Sequence, residues 1–131
     1  MPRRVDAAKE WFEFGRRDLE AARALIKLGG PLGPAGMLLQ QAAEKYLKGY
    51  LVYHGWKLKK THDLAALVAD LADYDRSFEP QLDRLERISE YYFEERYPPL
   101  PGESLSAEEI EASLQVVEQV VQHIEQAVGP A

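Results

Sequence analysis

The chain has 131 residues, 16 of them Lys or Arg and 22 Asp or Glu, with a formal net charge of −6 and no cysteine. Disulfides, thiolate nucleophiles and cysteine-ligated zinc are thereby excluded. The length is that of one domain over residues 1–131, enough to bury a core without covalent staples.

Glycine and proline punctuation separates five segments, and each reads as helix. The first, about residues 6–28, places Trp11, Gly15, Leu19, Ala22 and Ile26 at helical spacing, with Gly29 and Gly30 as its stop. The second, about 34–53, carries Leu39, Ala43, Tyr46, Leu47, Tyr50 and Leu51, with Pro34 suited to its first turn. The third is short, about 62–72, with Thr61 as the expected cap and Leu64, Leu67, Val68 and Leu71 facing inward. The fourth, about 80–96, presents Leu82, Leu85, Ile88 and Tyr92 and stops at Pro98. The fifth opens on Ser106-Ala107-Glu108-Glu109, a capping box, and runs through Ile110, Leu114, Val117, Val121, Ile124 and Val128. Short connections favour antiparallel neighbours, so the expected fold is all-α, an up-and-down four-helix bundle with an additional short helix. Apolar runs fall far short of the ~20 residues a membrane span needs. No signal peptide is read at Arg3 and Arg4, and the expected location is the cytoplasm.

Charge is segregated along the chain. Between Lys45 and His62 stand Lys45, Lys48, Lys57, Lys59 and Lys60 with no Asp or Glu, interleaved with Tyr46, Tyr50, Tyr53 and Trp56. That mixture suits either a solvated loop or a phosphate-facing patch with stacking faces. After Pro98 come six Glu and no Lys or Arg, most simply a solvated outer face. In the second segment Gln41, Glu44, Lys45 and Lys48 share one helical face, read as solvated pairing, while Ala42 and Ala43 beside them suggest a closely packed helix. Arg87 and Arg96, flanked by tyrosines, are candidate phosphate ligands. His54 and His62 lack nearby acids and make a poor metal site, and His123 stands apart; no metal or cofactor is expected.

Four of these stretches together resemble one family. Asp18-Leu19, then Gln40-Gln41-Ala42-Ala43-Glu44-Lys45-Tyr46-Leu47-Lys48, then Thr61-His62-Asp63-Leu64, then Tyr91-Tyr92 with Arg96-Tyr97-Pro98 are similar, in this order over about residues 7–127, to the HEPN (higher eukaryotes and prokaryotes nucleotide-binding) domain. The resemblance implies a helical bundle acting as a homodimer, partnered with a minimal nucleotidyltransferase in a toxin–antitoxin-like pair, and binding nucleotide or RNA. The candidate nucleotide- or RNA-binding residues are Gln41, Glu44, Lys45, Lys48, Lys57, Lys59, Lys60, His62, Arg87 and Arg96. Toxic members are metal-independent ribonucleases whose motif is an Arg followed a few residues on by His, donated by both subunits. Here no His lies between Asp63 and Gln122, and Tyr92 occupies the position counted from Arg87. A phenol of pKa about 10 is a poor base at neutral pH. Catalysis through Arg87, Tyr92, Arg96 and Tyr97 is therefore the alternative to binding, and a structural dimeric scaffold is a second alternative.

Overall fold

The computed structural model describes residues 4–56, 59–94 and 105–129. Five α-helices follow one another with no strand among the described residues: α1 Arg4–Lys27, α2 Leu32–Tyr53, α3 Leu64–Leu71, α4 Leu82–Glu94 and α5 Ala107–Val128. The all-α expectation holds, and the helix ends among the described residues fall close to those read from punctuation, the expected stop at Pro98 lying outside them.

Local chemistry explains three of the boundaries. At the end of α1, Gly29 adopts φ 70°, and the N–H groups of Gly29 and Gly30 donate to the carbonyls of Ile26 and Leu25. This is the left-handed stop that only glycine adopts without strain. Ser106 caps α5 as expected, its hydroxyl accepting from Glu109 N at 3.1 Å. The cap of α3 differs from the expected one: Asp63 accepts from the N–H groups of Ala65 and Ala66, while Thr61 Oγ1 accepts from Asp63 N one step earlier. A carboxylate at the cap also complements the helix dipole, so Asp63 outcompetes the hydroxyl of Thr61.

α2 is the axis of the bundle. It packs against α1, α3, α4 and α5, and its buried residues run almost round its circumference from Ala35 to Leu51. α1 lies against it as a helical hairpin, with Phe12 stacked on Tyr46 at a ring separation of 5.2 Å. Tyr46, Tyr91, Phe78, Leu39, Leu67, Ile88 and Ile110 are among the fully buried side chains of a core shared by all five helices.

The acidic last helix is not simply a solvated face. Glu109 pairs with Arg87 of α4, Glu118 with Arg23 of α1 at 2.8 Å, and Glu125 with Arg16 of α1. These cross-helix pairs fix the register of α5 and, being partly exposed, each contribute no more than about 1 kcal/mol.

Candidate functional site

Of the stripe on α2 that reads as solvated, Glu44 and Lys48 are buried, and Gln41 and Lys45 are half-buried. Residues four apart lie one turn above each other, so Gln40, Glu44 and Lys48 form a line, and the neighbouring line of Gln41 and Lys45 turns away. Gln40 is fully buried, Glu44 is 5% exposed and Lys48 7%. The Glu44 carboxylate accepts from Gln40 Nε2 at 2.9 Å, from Lys48 Nζ at 3.0 Å and from His62 Nδ1 at 2.8 Å. Gln40 Nε2 also reaches the carbonyl of His62 at 3.1 Å, so both backbone and ring of His62 are held from α2. Lys45 instead pairs with Asp18 of α1 at 2.5 Å, and Gln41 donates to Gln40 Oε1. The solvated reading fails because these polar groups satisfy one another, which permits burial.

His62 sits between this line and α4. Its ring stacks on Tyr92 at 3.8 Å with 17° between the planes, and Phe93 meets Tyr92 edge-on at 5.3 Å. A carboxylate only accepts, so Nδ1 presents its hydrogen to Glu44. Nε2 has no partner among the described residues. Ser89 ties α4 to the start of α3, accepting from Leu64 N at 2.8 Å and donating to the Leu85 carbonyl. Beside these groups opens a cleft of ≈ 500 Å³ lined by residues including Lys60, His62, Asp63, Ser89, Glu90 and Phe93. Phe93 is 56% exposed, an aromatic face at the mouth of a polar cleft.

Glu44, Lys48, His62 and Tyr92 are thus brought together, with Lys60 on the rim. Lys59 is drawn to Asp70 and to the ring of Trp56, away from His62. Arg87 is held by Glu109 at 2.5 Å and Glu90 at 2.7 Å, over the ring of Tyr91. Lys57, Arg96 and Tyr97 lie outside the described residues. Sequence reasoning passed over Phe93, Ser89 and the inward role of Gln40; the spacing of Gln40, Glu44 and Lys48 was the available signal.

A second polar cluster lies around His123, which is not isolated. His123 Nε2 and the Tyr50 hydroxyl both meet Asp75 Oδ2 at 2.7 Å, and Ser77 N donates to Asp75 Oδ1. Burial alone raises a carboxylic acid, but hydrogen bonds from Ser77, His123 and Tyr50 outweigh it and hold Asp75 well below the usual carboxylate range. Burial and the bond to Asp75 push the Tyr50 phenol up, and burial pulls the nearby His54 down. A depressed carboxylate contributes stability above its unfolded pKa and loses it as pH falls through the folded value. The Asp75→Ala variant is accordingly expected to be about 2 kcal/mol less stable at pH 7. Denaturant titrations should show that deficit shrinking below about pH 4.

A family model described as the HEPN domain matches residues 8–127. The crystal structure of TT1696 from Thermus thermophilus superposes with a TM-score of 0.80 at 27% identity, covering 91% of this chain and 96% of that one. That of ST0689, an archaeal HEPN homologue, superposes at 0.73 and 22% identity, covering 98% and 100%. No curated protein matches the chain. No helix of the described residues is long and apolar enough to cross a membrane.

Proposed function

The chain belongs to the HEPN domain family, and on that premise we propose that it binds nucleotide or RNA at the His62 cleft. The observation that carries this reading is the stack of His62 on Tyr92 with exposed Phe93 beside it, at the rim where Lys60 has no partner among the described residues. A nucleobase stacks on such a face whatever its identity, and a lysine meets the adjoining phosphate. Of the three carboxylates lining the cleft, Asp63 is spent on capping α3 and Glu90 on Arg87, which leaves Glu86 to oppose a phosphate there. The protein acts as a homodimer, partnered with a minimal nucleotidyltransferase in a toxin–antitoxin-like pair.

Fluorescence anisotropy with a labelled single-stranded RNA oligonucleotide at low salt tests the binding site. Phe93→Ala should weaken binding about tenfold, in line with the roughly 1–3 kcal/mol of one stacked base. An unchanged affinity removes the cleft from consideration. Copurification with the product of an adjacent nucleotidyltransferase gene tests the partnership.

One observation favours a second reading, metal-independent RNA cleavage. Tyr92 stands where the family's motif has its His, and His62 brings an imidazole against that same ring, oriented by Glu44 as a carboxylate orients a general base. If this reading holds, His62→Gln binds RNA but no longer cleaves it. Absence of cleavage by the intact wild-type protein dismisses it.

A further inference from the structure

The cleft between α1 and α5, on the face of the bundle away from His62, contains an incomplete pattern. Arg23 pairs with Glu118, and Arg16, seven residues earlier in α1, pairs with Glu125, seven residues later in α5. The two pairs are successive rungs between antiparallel helices. Seven residues before Arg16 stands Lys9, where the third rung would begin. α5 ends at Val128, before it can place another carboxylate opposite. Lys9 is half-buried and has no partner among the described residues. It lines a cleft of ≈ 880 Å³ together with Phe12, Arg16, Gln122, Glu125 and Gln126.

The charge balance of this cleft is specific. Arg16 and Glu125 neutralise each other, and Glu13, also on its wall, pairs with Arg17 at 3.0 Å. The Lys9 ammonium is the uncompensated charge. The Tyr46 hydroxyl meets Glu125, one of the lining residues, at 3.4 Å, and burial with the neighbouring Glu125 charge pushes that phenol up to about 12, so it stays a neutral donor. On the α5 wall Gln122 and Gln126 lie one turn apart, each with an amide that donates and accepts.

We propose that this cleft is a second binding site, which receives an acidic side chain of a partner polypeptide and completes the third rung through Lys9. A polypeptide fits better than a lone anion, because the volume lies in the range of drug-sized ligands and the paired Gln amides match peptide groups. It fits better than nucleic acid, because one isolated cation matches one carboxylate and not a run of regularly spaced phosphates. The half-buried ammonium gains most from a partner that excludes water from it.

The test uses the full-length chain and an array of short fluorescein-labelled peptides with Glu placed singly or one to two turns apart, read by anisotropy at low salt. Glu-bearing peptides should bind, with affinity reduced about tenfold or more by Lys9→Glu, equivalent to roughly 1.4 kcal/mol, and kept by Lys9→Arg. Peptides with Lys in place of Glu should bind the Lys9→Glu variant instead. Lys9 lies at a half-exposed helical position, and circular dichroism confirms that each variant keeps its fold. The proposal is overturned if no Glu peptide binds. It is equally overturned if Lys9→Glu leaves binding unchanged, if free glutarate competes as well as any peptide, or if an RNA oligonucleotide is what loses affinity.

Discussion

Glu44→Ala is expected to cost about 3–5 kcal/mol in denaturant unfolding, the cost of removing one partner of a buried ion pair. Glu44 is the common acceptor for Gln40, Lys48 and His62, and its loss removes a bond from all three at once, although Gln40 keeps its bond to the His62 carbonyl. The Lys48 ammonium suffers most: it is 7% exposed, and Glu44 is its salt-bridge partner. A buried charge without its counterion must either lose its proton or draw in water. The expectation becomes sharper with a second change. Glu44→Leu combined with Lys48→Met removes both charges and fills the space with apolar volume, and should recover most of the lost stability. Failure of the double variant to recover would show that packing at these positions, rather than the pairing, dominates. In both variants the His62 ring loses its tether from α2, while Gln40 still holds the His62 carbonyl, so binding at its cleft should weaken even where stability returns.

The second large effect concerns the approach of α1 to α2. A Cβ built on Gly49 would lie 2.6 Å from Phe12 Cε1 and 2.9 Å from Trp11 Cβ. Phe12 cannot swing aside, because its ring is already stacked on Tyr46 in the core. Alanine at this position gains about 1 kcal/mol of helix propensity, yet overpacking costs more. Gly49→Leu should therefore lower stability by about 3 kcal/mol, roughly 10 °C in Tm for a chain of this size. Ala24→Leu on the exposed face of α1 serves as the control and should be near neutral. A similar Tm for the two variants would mean that the hairpin spreads without penalty.

What the sequence made legible is tied to local rules. Gly29 after α1 and Ser106 before α5 act within a few residues of themselves, so their roles could be read directly. Most of the core followed from helical periodicity in the same way. The polar line of α2 resisted that reading because residue type alone marks Gln40, Glu44 and Lys48 as outward-facing. Their burial depends on His62, which arrives from a loop beyond the end of the helix. His123 and Asp75 are likewise joined only by the folded chain, 48 residues apart. Of the candidate binding residues, Glu44, Lys48 and His62 converge, whereas Lys45 and Lys59 are drawn to Asp18 and Asp70. Their partners, not their spacing, decided where they point.

The central place of α2 also bears on the order of assembly. α2 follows α1 after a turn of a few residues, and this hairpin holds the densest set of contacts in the bundle. Closing so short a loop costs little entropy, and contacts close in sequence form fast. During synthesis α1 and α2 emerge before α3, α4 and α5 exist to cover them. In that interval Gln40, Glu44 and Lys48 stand in water beside the apolar residues of α2, and they make the unfinished hairpin less prone to self-association than an all-apolar face would be.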